Sequence, residues 1–531
     1  MNEKISPELA NERKSLILNE FSKIFPEIKN ITHADRIKLM ELWLESHVGK
    51  YFTKVEEYDQ NKWKSGEVYI PVHGLVSLKP EIEYLLNIPI VRRCNAIKQL
   101  STACTIFPGA KHTRDEHQIG TLSVMQRFCE HLIKEEAIHE ADQITLEVTA
   151  LIHDVAHPPL GHSLDSIKEI LIPRSPLSSN YSYEKKIDKT LLEIYLTDEK
   201  YQLKWALESI KTINIDLLKS ILLDNFEKSD KFSPAYVDLI DSEIDADRMD
   251  YLLRDGVHTG KKGDFDINLI IQNSHFCELR DGNKTRKSLS FDEKIVRALT
   301  SILTFRKNMY EEVYETDEKV ILDETIVHII YSILKLYYGL ENNETTKKFL
   351  LLTDCELNEF LELFSPSSIF KLYSTQINGK PTYSFIKKYD LFDESSEFSQ
   401  ALKEAVSRYS RVFGFNLKFK DERLFSENIK IMSEKDETYE IPPILFSLPH
   451  YIPSQTSENY EREGKKKRGL KDLVLRKTDG HCDYFTNVSK ITKEKDPSLN
   501  KFLLIARKDL AQKDSIIEKF EEFIIAQYGK K

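Results

Sequence analysis

Glycine and proline are both scarce in this chain, 17 and 18 among 531 residues. That excludes collagen-like and low-complexity organisation and leans toward long helices. Six cysteines, at positions 94, 104, 129, 277, 355 and 482, contain no Cys-x-x-Cys pair. In a chain this long they read as reduced thiols, not as a disulfide framework. No long uncharged apolar run is present: the most apolar stretch, 320–340, carries Asp323, Glu324 and Lys335. It reads as a buried amphipathic helix, and no membrane partner is expected. The opening fifteen residues lack the apolar segment of a secretory signal, so the expected location is cytoplasmic. Nor is there a basic excess, because 76 Lys and Arg stand against 86 Asp and Glu for a net charge of −10. A whole-chain nucleic-acid footprint is excluded, and only a local basic patch is left open. What is there is a hydrophobic fraction of 40% with 31% charged residues, enough to bury a core.

At roughly 150 residues per domain the length suggests three or four units, or one large helical body with an appendage. Residues 1–65 carry helix-period patterning (LILNEFSKIF, then IKLMELWLESHV) and form an expected N-terminal helical segment. VYIPVHGLVSL at 68–78 predicts a short hairpin, and the Asp-Gly-Asn-Lys at 281–284 predicts another. Residues 66–345 otherwise read as helices, and 346–531 as a mixed α+β region closed by a C-terminal helix. Residues 453–469, polar and charged, read as a mobile loop. The predicted fold is thus mainly α, with small β-hairpins and an α+β C-terminal appendage.

Four side chains are candidate metal ligands: His117, the adjacent His153-Asp154, and Asp247. His117 falls early in a predicted helix. His153-Asp154 ends another, just before Pro158-Pro159, which cannot extend it, so the pair lies where a cleft can open. Two imidazoles and two carboxylates suit a borderline or hard divalent ion: Mn, Mg, Fe or Zn. A single His-Asp dipeptide would ordinarily be a surface or core pair; the order His…His-Asp…Asp on helices is what lifts it.

These residues carry a resemblance. The His…His-Asp…Asp order is similar to the HD-domain phosphohydrolases. VHGLVSL, IKQLSTACTIFPGAKHTRDEHQIG, HDVAHPPLGHSLD and DADRMDYLLRDGVHTG resemble, more narrowly, the deoxynucleoside triphosphate triphosphohydrolases. That group holds the bacterial dGTPase-like enzymes and the animal enzyme that joins a sterile-alpha-motif domain to an HD domain. The resemblance covers roughly residues 66–340 and implies an HD helical core. It implies hydrolysis of a dNTP to deoxynucleoside and triphosphate, control of dNTP pools with a role against phage or virus, and a homo-oligomer. His117, His153, Asp154 and Asp247 would bind the metal. Arg114, Arg248, Tyr251 and Arg306 would meet the triphosphate; Gln99 and Leu100 would wall the deoxyribose; Asp255 would hold the 3′-hydroxyl and Tyr314 pack on the nucleoside. His157, His162 and Asp165 match further polar active-site residues.

Two departures follow from the same match. The family's catalytic His-Glu pair reads Tyr183-Glu184 here, so the acid role is assigned to His162. At the family's activator site, Asn87, Asn95, Thr316 and Asp317 stand where an acid, an Arg, a His and a Lys are expected, which argues against a GTP activator. Alternatives stay open. An HD phosphohydrolase could act on another nucleotide or a nucleic-acid end, or the chain could be a catalytically weakened nucleotide sensor or nucleic-acid-binding module. Lys465-Lys466-Lys467-Arg468 reads first as an exposed loop, with nucleic-acid or nucleotide binding there as the second reading.

Overall fold

A computed structural model describes residues 33–167, 187–223, 233–281, 284–331, 333–334, 344–365, 367–378, 383–390, 395–408, 431–432, 438–439, 444–447, 473–480, 482–484, 501–508 and 513–529. Helices dominate, as the scarcity of Gly and Pro implies. Those that matter below are α1 (His33–Val48), α2 (Arg114–Lys134), α3 (Gln143–Ile152), α4 (Ala246–Thr259), α5 (Val296–Met309), α6 (Asp317–Tyr331), α7 (Asp354–Phe364), α8 (Glu397–Arg408) and α9 (Lys513–Tyr528). Both predicted hairpins form. Strands β1 (Gly66–Ile70) and β2 (Gly74–Leu78) pair antiparallel, and so do β3 (Ser274–Asp281) and β4 (Lys284–Asp292). The remaining strands are β5 (Tyr383–Asp390), β6 (Ile431–Met432), β7 (Thr438–Tyr439), β8 (Ile444–Ser447), β9 (Val474–Arg476), β10 (Cys482–Tyr484) and β11 (Lys501–Arg507). They make a sheet ordered β5-β11-β8, the pair β6-β7, and an extension of the second hairpin in the order β10-β9-β4-β3.

Helices α2 and α3 lie at the centre. Ile119 and Leu122 of α2 join one apolar cluster, which also takes in α1, the first hairpin, α6 and residues 349–361; Val124, Met125 and Phe128 join a second one with α4 and α5. Residues 145–152 of α3 are all buried. A helix that is buried on every side has no solvent face to make it amphipathic, and it becomes a rigid platform. A third cluster packs β5 and β11 against α8 and α9. No described helix is long and apolar enough to cross a membrane.

One expectation is corrected here. Cys277 on β3 and Cys482 on β10 are joined as a disulfide, Cα atoms 6.4 Å apart and 205 residues apart in sequence. In the order β10-β9-β4-β3, with β9 parallel to β4, the two cysteines lie on the opposite edge strands of the sheet, and the disulfide joins those edges. Cys94, Cys104, Cys129 and Cys355 are free thiols, as expected. Residues 1–32, Tyr183-Glu184 and the basic loop at 453–469 lie outside the described residues.

Candidate metal centre and active site

Each metal-ligand candidate is placed by a local sequence rule. Thr113 leaves the chain extended, α2 starts at Arg114, and His117 comes one turn later on its buried side. His153 follows the last residue of α3, and Pro158-Pro159 stop the helix and turn the chain into a short 3-10 segment, Gly161–Ile167. Asp245 caps α4 by accepting the Arg248 N–H at 2.7 Å, and Asp247 falls in the first turn, where a carboxylate suits the helix dipole.

The four side chains converge. His117 Nε2 lies 3.1 Å from Asp247 Oδ1 and 3.6 Å from Asp154 Oδ2; His153 Nε2 lies 3.5 Å from both Asp154 Oδ1 and Asp247 Oδ1. One ligand atom from each of His117, His153 and Asp154 falls within 4.8 Å of the others. The far nitrogens are spoken for: His117 Nδ1 donates to Asp250 Oδ2 at 2.7 Å and His153 Nδ1 to the Ala150 carbonyl at 2.7 Å. Those bonds set the tautomers and aim both Nε2 atoms at the carboxylates. Both Nε2 atoms are buried without a well-aligned hydrogen bond. Buried polar atoms are seldom left so, and the four donors fit a divalent ion.

The electrostatics agree. Burial opposes charge on His117, but Asp247 and Asp250 outweigh it and raise its pKa to about 10. Burial likewise resists ionisation of Asp154 and Asp247, yet the surrounding imidazoles, with Arg114 for Asp154, hold both below the usual carboxylate range. A cation among these side chains would take over the charge that Asp247 and Asp250 favour on His117.

Around this centre the structure gathers most of the other predicted residues. Buried Arg114 donates from Nη1 to Asp154 Oδ2 at 2.8 Å. It packs against Gly161, which has a φ of +50°, and a Cβ there would sit 2.7 Å from Arg114 Nη2. His157 and His162 face each other with Nε2 atoms 3.2 Å apart, and burial followed by Arg114 drives the His157 pKa well down. Asp165 lies in the same 3-10 segment. A second group comprises Tyr251, 6.5 Å from the His117 ring and 6.2 Å from Tyr314, with Arg248 held by Asp245 and Arg306 held by Glu243 at 2.7 Å. Tyr314 sits in a π-helical turn, 310–314, and donates to Asp255 Oδ2 at 2.7 Å. Gln99 and Leu100 are brought alongside because the stretch before them bridges to the start of α2: the Arg114 N–H reaches Ile97 O at 2.9 Å and the Gln99 N–H reaches His112 O at 3.0 Å.

Several residues that sequence reasoning passed over complete the site. Asp250, fully buried, takes His73 Nε2 at 2.6 Å, His117 Nδ1 at 2.7 Å and both Nε and Nη2 of Arg254. His112 Nε2 bonds Asp255 Oδ1 at 2.8 Å and its ring stacks on His258. Ser101 and Leu160 hold positive φ, 50° and 60°, at a cost of about 1–3 kcal/mol each. Asp250 had a local signal, since it lies three residues after Asp247 on one helix face; His73 and His112 had none.

No protein-family profile matches the chain. Among curated proteins it is 25% identical over 326 residues to the deoxynucleoside triphosphate triphosphohydrolase SAMHD1 of Danio rerio, covering 56% of this chain and 51% of that one. It is 24% identical to the Homo sapiens SAMHD1 over 87% of this chain and 70% of that protein. It is 27% identical to an uncharacterized protein of Methanocaldococcus jannaschii, over 57% of this chain and 55% of that one. The resemblance is to HD-type phosphohydrolases. The chain spans about half the length of the first curated relatives it matches. A solved phosphohydrolase from Bacteroides thetaiotaomicron superposes with a TM-score of 0.55 at 18% identity, over 83% of this chain and all of that one, and so shares the fold.

Proposed function

We propose that the chain is a metal-dependent phosphohydrolase that cleaves deoxynucleoside triphosphates to deoxynucleoside and inorganic triphosphate. The observation that carries this is the pair of buried Nε2 atoms, of His117 and His153, that lack a well-aligned hydrogen bond and are aimed at Asp154 and Asp247 beside a cluster of arginines and tyrosines. A divalent ion held by those four residues, Mn, Mg, Fe or Zn, would supply Lewis-acid polarisation of the phosphate and a more acidic water.

The chain's own residues do the rest. Arg114, already aligned on Asp154, and Arg248 and Arg306, each pre-oriented by a carboxylate, would neutralise the triphosphate. Water adds to the α-phosphorus, the bond from phosphorus to the 5′-oxygen breaks, and that oxygen needs a proton. We assign its delivery to His162, exposed and 3.2 Å from the His157 ring, with His157 as its relay. Asp255 is held at both oxygens by Tyr314 and His112, ready for the sugar hydroxyl. Leu100, 7% exposed, would present an apolar wall where a ribose 2′-hydroxyl would lose its water partners.

The test is triphosphate release from each dNTP with Mn or Mg, against a metal-free control. Deoxynucleoside and triphosphate in equal amounts support the reading. Monophosphate or pyrophosphate as product, or turnover only on a nucleic-acid end, moves the chain to another HD phosphohydrolase class; binding without turnover makes it a sensor. From the resemblance we carry forward a homo-oligomer that controls dNTP pools, and from the lack of a signal-like opening segment a cytoplasmic location.

A further inference from the structure

The two loops that border the site have unusual backbones. One, 97–105, carries Gln99 and Leu100 and contains Ser101 at φ 50°; the other, 153–167, carries His162 and contains Leu160 at φ 60°. Conformations of this kind persist only where the surroundings over-determine them. Here the surroundings come from elements later in the chain. Asp354, in the first turn of α7, accepts the Lys98 N–H at 2.9 Å on one oxygen and the Leu160 N–H at 3.0 Å on the other. Asp323 of α6, 4% exposed, takes the Thr102 hydroxyl and the Ser163 hydroxyl, the latter at 2.7 Å, on a single oxygen, and Lys319 on the other. Ser101 Oγ closes the gap by donating to Leu160 O at 2.8 Å. Buried Arg93 ties the same junction from a third side, donating to Leu352 O, Val155 O and His157 O.

We propose that Asp354 and Asp323 are positioning residues: two carboxylates, each bridging the sugar-wall loop to the His162 loop, that hold the two in register across the substrate. The proposal rests on the phosphohydrolase reading above. Each carboxylate acts only as an acceptor, so it can meet a donor from either loop at once. At Asp354, where the two arms use different oxygens, an Asn keeps the shape but turns one acceptor into a donor and breaks one arm; at Asp323, where both hydroxyls share one oxygen, an Ala is needed to remove the bridge. Neither residue is a metal ligand: His117 and Asp247 lie on α2 and α4, and His153 and Asp154 stand at the α3 end of the second loop, whereas Asp354 and Asp323 grip its far end at Leu160 and Ser163. Loop register and metal affinity are therefore separable.

The experiment compares Asp354→Asn and Asp323→Ala with Thr353→Ala, which removes the capping box of α7 and leaves the bridge. We read kcat and KM for dNTP hydrolysis, Mn affinity by calorimetry, melting temperature, and hydrogen exchange at the Lys98 and Leu160 amides. Expected is a fall in kcat/KM of about tenfold or more for Asp354→Asn and for Asp323→Ala, since small misplacements are costly to catalysis. Mn affinity should stay within about twofold, and Thr353→Ala should melt earlier with near-normal kinetics. Turnover like that of Thr353→Ala, or losses of turnover, Mn affinity and melting temperature in parallel, would overturn the proposal. If the wild type hydrolyses no dNTP, the hydrolase reading falls on its own, and exchange then decides: acceleration at the Lys98 or the Leu160 amide in Asp354→Asn but not in Thr353→Ala supports the bridge, and unchanged exchange at both refutes it.

Discussion

Replacing Asp250 by Asn probes the deepest part of the site. The carboxylate is fully buried and takes four N–H donors, one from His73, one from His117 and two from Arg254. Arg254 keeps only Glu116, at 2.6 Å, once Asp250 is neutral. Breaking a buried ion pair by removing one charge costs about 3–5 kcal/mol, because the remaining charge stays buried. The amide also puts an N–H against a donor, leaving at least one imidazole or guanidinium proton unpaired, at about 1–3 kcal/mol. These terms share partners and do not add, so about 3–5 kcal/mol is the working figure, a large part of ordinary domain stability. At about 2–4 °C per kcal/mol the melting temperature should fall by roughly 6–20 °C. The same carboxylate orients the His117 ring, so Mn affinity should drop roughly 10–100-fold. The pH sign adds a check. Burial alone would raise the Asp250 pKa, but Arg254, His117 and His73 hold it well below the usual carboxylate range. Its contribution is therefore present above the unfolded pKa, about 4, and lost as pH falls through the depressed folded value. The Asn variant should lack that acid-side loss. Scanning fluorimetry with and without Mn, together with calorimetry, reads all of this. A variant melting within about a degree of wild type and binding Mn equally well would show that the network is not holding the centre.

Asp154→Ala should abolish stoichiometric Mn, because the remaining donors lose charge and geometry together; elemental analysis showing equal metal in both proteins refutes the ligand assignment. Metal uptake must displace the proton that Asp247 and Asp250 stabilise on His117, so Mn affinity should climb with pH from about 6 toward 10; a flat profile by calorimetry contradicts it. Leu100→Gly should narrow the preference for dGTP over GTP, whereas an unchanged ratio removes the sugar-wall argument. GTP should leave activity and sedimentation unchanged, since the resemblance puts Asp317, which pairs with Lys388 here, where an activator-binding Lys is expected. A GTP-driven rise in both would show that the pocket persists.

What the chain order alone determined was local. Scarce Gly and Pro with 3.6-residue patterning predicted the helices, and β-branched runs around Gly turns predicted both hairpins. Residue type at helix starts and stops marked His117, His153-Asp154 and Asp247, and the structure does bring them together. Each sits where a cap or a Pro-Pro break sets its position, so a few neighbouring residues suffice to announce it. The rest is decided by packing between segments far apart in sequence. His73 meets Asp250 across 177 positions, Lys98 meets Asp354 across 256, and Cys277 meets Cys482 across 205. An isolated His, Asp or Cys has the same local neighbours whether it is buried against such a partner or left in water. Only burial of α2 and α3 between two apolar clusters, and the docking of α6 and α7 against the loops they carry, turns those lone residues into a supported site.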